Sequence, residues 1–200
     1  LLKRAWDDKA PEFDQRIERF TNNLIEQIDS LSHIATEFSN FAKMPKMSPE
    51  TVDLSIILRS IVDFHQGEEE VEINLNCQEH QACWVFTDKE QLLRVFNNLI
   101  RNAIQAIPEQ KQGKIDIRMS REKKSYIVAI QDNGTGISDE LKEKIFSPNF
   151  TTKNGGMGLG LALVKNIVEG SSGKIWFEST VDQGTTFFIQ LPIYEPEQRP

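Results

Sequence analysis

The sequence predicts an α+β chain: a two-layer α/β sandwich, with a mixed sheet and its helices on one face, preceded by an α-helical hairpin. Three observations lead there. From Pro11 to Met44 apolar residues recur every three or four positions, the period of a helix with a single apolar stripe. Past a proline-marked break, strand-like and helix-like stretches mix without strict βαβ alternation, which favours a mixed sheet covered on one side. The chain is 38% hydrophobic and 26% charged, an ordinary globular balance.

The stripe comprises Phe13, Ile17, Phe20, Leu24, Ile28, Leu31, Ala35, Phe38 and Ala42. It outruns a typical globular helix and approaches a heptad pattern. "LLKRAWDDKA" reads as the end of a preceding helix, with Pro11 in the first turn of the next. An antiparallel hairpin follows, doubled into a four-helix bundle by dimerisation; the alternative is a helix lying back on its own domain. "MPKMSPETV" then breaks the helix with two prolines. We therefore expect a partial hairpin over 1–46, a linker over 47–51, the sandwich over 52–192 and a tail over 193–200. Within the sandwich the expected order is helix 55–66, strands 71–76 and 82–86, helix 88–107, strands 114–120 and 125–132, helix 138–145, an irregular loop 147–157, helix 158–170, and strands 173–180 and 184–191.

The net charge of -7 argues against a surface that wraps nucleic acid. No apolar run nears the ~20 residues of a bilayer span, so membrane contact is expected only through segments outside this chain. The chain starts without Met and without a leader-like pattern. We expect a cytoplasmic piece of a longer protein, whose parent can be anchored in the inner membrane upstream. Cys77 and Cys83 are expected to be thiols, and His80 between them a loop histidine rather than a metal ligand.

Three segments carry chemistry. In "DKEQLLRVFNNLIRNAIQAI", Leu92, Leu93, Phe96, Leu99, Ile100, Ala103, Ile104 and Ile107 form the core face. Asn98 and Asn102 stack four apart on another side. They are either a solvated polar face or a pair of amide oxygens suited to a hard cation. In "DNGTGI", Asp132 ends a strand, where its carboxylate can accept from an exocyclic amine. Gly134 and Gly136 would let the backbone approach a flat ring, although the same letters suit an ordinary turn. In "SPNFTTKNGGMGLGLALVKNIVEG", Gly155, Gly156, Gly158 and Gly160 lead into an apolar-periodic helix. Backbone N–H groups at such a helix start suit phosphates. It lacks the G-K-[ST] of a Walker loop. Lys153 in the preceding stretch either meets the phosphates or is an idle surface lysine.

Together and in this order, these segments resemble the ATP-binding domain of sensor histidine kinases, within the gyrase, heat-shock chaperone and mismatch-repair ATPase superfamily. "FNNLIRNAIQA" resembles the N box, "DNGTGI" the first glycine box, "IFSPNFTTK" the F box and lid, and "GGMGLGLA" the second glycine box. "GTTFFIQLP" looks like the closing strand, and the spellings "NLIRNAIQA" and "FTTK" look most like the nitrogen-regulation branch. The resemblance implies ATP and Mg2+ as cofactors. Asp132 would bind the adenine amino group with Thr185 nearby, and Gly134, Gly136 and Ile137 would line the base. Asn102 would ligate magnesium, with Asn98 touching it directly or through water. Gly156, Gly158, Leu159 and Gly160 would carry the phosphates. Lys153 would sit in the lid, anchored by Phe146 and Phe150.

The ATPases of this superfamily place a glutamate one helical turn before the metal asparagine. Here that position is Asn98, an amide that does not usefully accept a proton. We therefore expect a kinase that keeps the γ-phosphoryl group for a protein acceptor. None of His33, His65 and His80 fits the family's acceptor pattern, so the acceptor histidine is expected upstream of Leu1. Expected partners are a response-regulator receiver domain and a second copy through the hairpin. The rival readings are a dimeric scaffold with an inactive nucleotide pocket, and a protein-serine kinase or ATPase of the same superfamily.

Overall fold

The computed structural model describes residues 15–25, 27–28, 32, 47–66, 71–77, 82–151 and 158–195. The N-terminal helix belongs to one compact unit, and the residues from Met47 onward, apart from Thr151, belong to another. Helix α1 (residues 15–25) exposes Ile17, Phe20, Leu24 and Ile25 to solvent. The expected preceding helix and most of the rest of the hairpin, including His33, lie outside the described residues, as do His80 and residues 196–200.

The second unit contains two sheets. Strand β1 (Glu50–Asp53) pairs antiparallel with β3 (Trp84–Thr87). The larger sheet has the order β2 (Val71–Cys77), β4 (Gly113–Glu122), β5 (Ser125–Asp132), β7 (Gly184–Pro192), β6 (Lys174–Thr180). Only β2 and β4 run parallel; the other neighbours are antiparallel. The sheet is mixed, as the sequence predicts.

Strand alternation decides the layers, because a period of two sends successive side chains to opposite faces. Ile115, Ile117 and Met119 of β4, Tyr126, Val128 and Ile130 of β5, and Phe187, Ile189 and Leu191 of β7 are buried in one core. Three helices supply its other half: α2 (Leu54–His65), α3 (Lys89–Ala106) and α5 (Gly160–Gly170). Burial of this apolar surface supplies the main driving force. Val95 is fully buried although it falls outside the predicted stripe, so the buried face of α3 is wider than a one-in-three-or-four pattern suggests.

Two elements depart from the sequence reading. Glu50–Asp53 is a strand although 47–51 reads as linker. Helix α4 is only Asp139–Lys142, shorter than the expected 138–145. Beyond it the chain tightens into successive i,i+3 bonds, Lys144 N to Leu141 O (2.9 Å) and Ser147 N to Lys144 O (2.8 Å). Pro148 has no N–H with which to continue a helix.

Asp53 and Asp88 cap the two helices that follow β1 and β3. Asp53 accepts from Ser55 N (2.9 Å) and from Cys83 N (3.1 Å) across the sheet. Asp88 uses both oxygens: Oδ1 accepts from Gln91 N (3.0 Å) and Oδ2 from Ser48 N (2.9 Å). Burial alone would push the Asp88 carboxyl up. The N–H groups of Ser48, Gln91 and Glu90, with the Arg94 charge, outweigh it and hold the carboxyl below its ordinary value.

Cys77 and Cys83 are not joined in a disulfide, and among the described residues no His/Cys/Asp/Glu cluster suits a metal. No described helix is long and apolar enough to cross a membrane.

Candidate functional site

Helix α3 carries the site along its length. Asn98 and Asn102 fall where the amphipathic pattern leaves the core, and both are half-buried. The Asn98 amide donates from Nδ2 to Arg94 O on its own helix (2.9 Å). That bond turns Oδ1 toward the first residue of α5. A Cβ at Gly160 would sit 2.9 Å from this oxygen. Glycine there keeps room for the amide, and no unusual backbone angle is involved. Asn102 lies one turn further along α3.

The other end of α3 meets the "DNGTGI" loop. Thr135 N donates to Ala106 O (2.9 Å), and a Cβ at Gly134 would stand 2.5 Å from that same carbonyl. Gly136 has φ +69°, and a Cβ there would collide with Thr180 O at 2.1 Å. Both glycines thus have a packing reason besides the clearance for a flat ring that the sequence suggests. Asn133 answers for the second letter of the motif. Its Oδ1 accepts from Lys114 N (3.0 Å) and its Nδ2 donates to Gln112 O (3.0 Å), fastening the loop to the start of β4.

Asp132 ends β5 with 4% exposure. Its Oδ1 accepts from Gly134 N (2.8 Å) and Thr185 N (3.2 Å). Both bonds fall on one oxygen, which leaves Oδ2 able to accept another. Burial pushes the carboxyl above its ordinary value, and the two N–H groups with the Lys111 charge offset only part of that. Lys111 Nζ itself donates to Asn133 O.

Thr185, also 4% exposed, faces Ser179 across the β6–β7 pairing. Their hydroxyls lie 2.9 Å apart. Ile137 N donates to Ser179 Oγ (2.8 Å). Sequence reasoning passed over Ser179, whose only local signal is a polar letter in an alternating strand.

Phe146 anchors the chain before the loop. It packs edge-on against Phe177 and Phe187, with ring centroids 5.9 and 6.5 Å away, and Lys165 Nζ of α5 lies 5.9 Å from its centroid. Phe150 packs on the core, and Leu159 is buried just before α5. Gly158 has φ +65°, and a Cβ there would strike the Phe150 backbone at 2.3 Å. The residues flanking segment 151–157 therefore touch. Lys153, Gly155 and Gly156 lie outside the described residues.

The Asp132 carboxylate and the Asn98 amide oxygen beside the start of α5 are groups of the kind that accept an exocyclic amine and a hard cation. The family described as "Histidine kinase-, DNA gyrase B-, and HSP90-like ATPase" matches residues 87–195, more than half of the chain. The chain belongs to this family. Its domain is an ATP-binding domain of the sensor histidine kinase kind. "Sensor protein kinase WalK" of Staphylococcus epidermidis is 29% identical over 96% of this chain and 32% of its own length. "Nitrogen regulation protein NtrY" of Azorhizobium caulinodans is 30% identical over 100% of this chain and 26% of its own. The chain thus spans about a third or less of these curated relatives. Their near-equal identities do not single out the nitrogen-regulation branch. The catalytic domain of histidine kinase ThkA superposes with TM-score 0.66 at 32% identity, covering 74% of this chain and 97% of that one. ThkA in complex with response regulator protein TrrA superposes with TM-score 0.72 at 27% identity, covering 92% and 53%.

Proposed function

We propose that this chain is the cytoplasmic kinase core of a two-component sensor histidine kinase, which binds Mg-ATP and directs its γ-phosphoryl group to a histidine outside this chain. The observation that carries the reading is the double engagement of α3. Asn98 presents its oxygen to the start of α5, while Ala106 holds the loop beside Asp132. The helical rise from position 98 to position 106 separates the two by about 12 Å, a span suited to a nucleoside between base and phosphates.

In this reading Asp132 accepts from the adenine amino group through Oδ2, with Thr185 beside it. Gly134, Gly136 and Ile137 line the base. Asn102 and Asn98 hold Mg2+ by their amide oxygens. Gly156, Gly158, Leu159 and Gly160 receive the phosphates at the start of α5, with Lys153 in the lid and Phe146 and Phe150 as its anchors. The bound cation would neutralise phosphate charge. The protein's own contribution is positioning. An amide at position 98 gives water no general base, so the phosphoryl group is kept for a protein acceptor. His65 is no such acceptor: it is 8% exposed and its Nε2 lies 3.1 Å from Asn97 Oδ1.

The same proposal takes residues 1–46 as part of a dimerising hairpin, the residues from Met47 to 192, strand β1 included, as the catalytic domain, and 193–200 as a tail. ThkA's complex with TrrA supports a response-regulator receiver domain as the partner.

Calorimetric titration of the 200-residue chain with ATP, with and without Mg2+, tests the reading. Metal-strengthened binding, with no protein label from γ-labelled ATP and little hydrolysis, is the expected result. Absence of ATP binding, or rapid turnover by the chain alone, would sink it.

A further inference from the structure

We propose that Ser179 is a specificity-determining residue, which takes up the Thr185 proton and leaves the base end of the pocket able only to accept hydrogen bonds. The inference rests on the nucleotide reading above and concerns which purine the site admits.

Ser179 Oγ has three polar neighbours. Ile137 N lies 2.8 Å away and can only donate. Gly184 O lies 3.1 Å away and can only accept. Thr185 Oγ1 lies 2.9 Å away and can do either. A serine hydroxyl has one proton and two lone pairs. The fixed neighbours settle its use: its proton goes to Gly184 O, and one lone pair takes the Ile137 N–H. One lone pair remains, so the contact with Thr185 is satisfied only if Thr185 donates. Ser179 is then fully coordinated, which is how half-buried polar groups are stabilised.

The consequence falls on Thr185. Its single proton is spent, so toward a ligand its oxygen is an acceptor. Asp132, whose Oδ1 already takes two backbone N–H groups, is an acceptor as well. Ser179, Thr185 and Asp132 lie together at one end of the sheet, joined by these bonds. A wall of acceptors suits a 6-aminopurine, which offers N–H groups. It opposes a 6-oxopurine, whose O6 would meet acceptors only. An unpaired polar edge discriminates more strongly than a missing apolar contact does.

The test is titration of the 200-residue chain with Mg-ATP and Mg-ITP, which carries the 6-oxopurine hypoxanthine. Wild-type protein should prefer ATP. In Ser179→Ala the Thr185 hydroxyl regains a proton to donate, and the ATP/ITP preference should narrow by about tenfold. Ser179→Thr keeps the hydroxyl and should retain the preference. In a Thr185→Val background, Ser179→Ala should change the ratio no further. Thermal melts of each variant report folding separately. If Ser179→Ala weakens both nucleotides equally, or narrows the ratio as much in the Thr185→Val background as in wild type, the proposal is overturned. Wild-type protein that binds neither nucleotide overturns the nucleotide reading instead.

Discussion

In the proposed nucleotide reading the site has a base end and a phosphate end, and the glycines Gly134, Gly136 and Gly160 meet different materials. At the base end, backbone meets backbone: Gly134 lies against Ala106 O and Gly136 against Thr180 O. At the phosphate end, Gly160 faces a side-chain amide, Asn98 Oδ1. A carbonyl in a strand or helix end cannot step aside without moving its element, whereas an amide can rotate. The base end is therefore part of the fold, and damage there costs stability. At Gly160 the phosphate end is tuned by a side-chain amide instead, and damage there costs binding, whereas Gly158, set against the Phe150 backbone, belongs to the fold.

The largest effect that tests this contrast belongs to Gly136→Ala. The new Cβ meets Thr180 O in a left-handed backbone conformation, and denaturant unfolding should show a loss of about 2–4 kcal/mol. A loss as small as that of an exposed-surface change would break the comparison. Asp132→Asn separates function from fold inside the base end. Affinity for ATP should fall about a hundredfold, because a charged acceptor is replaced by an amide. Stability should not fall at neutral pH. The folded carboxyl binds its proton more tightly than the unfolded one, since burial raises it. Its stabilising contribution is present below the unfolded value and is lost as pH rises through the raised folded value. Wild-type ATP affinity should accordingly decline on acidification sooner than an ordinary aspartate would dictate, and Asp132→Asn should flatten that decline.

Gly160→Ala sharpens the comparison from the other side. Mg-ATP affinity should drop about tenfold as the Asn98 amide is displaced. ATP without metal should be little affected, and the melting temperature should hold or rise, since Ala is the better helix former by up to ~1 kcal/mol. Equal losses with and without Mg2+ would detach Asn98 from the cation. The smallest expected effect is that of Asp88→Ala, remote from both ends. Loss of the α3 cap and of the Ser48 bond should cost about 1 kcal/mol, visible in denaturant unfolding, with the ATP/ITP ratio unchanged.

Local patterns made most of the fold legible. The helices and strands of the sandwich announce themselves by period, and the boundaries of β5 coincide with the expected 125–132. The strand Glu50–Asp53 was not legible, because so short a segment, with Glu50 and Thr51 both exposed, carries no alternation of its own. It is a strand by virtue of pairing with β3, a partner that a helix and another strand separate from it along the chain. The site divides in the same way. Asp132, Asn98 and the glycines stand in compact motifs whose order is informative. Ser179 acquires meaning only from Thr185 across the hairpin and from Ile137 in another loop. A single serine in a strand cannot advertise neighbours that folding alone supplies.

The contact between Phe150 and Gly158 has a consequence for how such a domain can vary. Phe150 and Gly158 lie against each other, so the two anchors that flank the intervening residues are adjacent. Lengthening such an excursion adds only about 0.6 kcal/mol of closure entropy per doubling, and neither anchor has to move. Insertions between these two anchors are therefore expected to leave the core underneath the same.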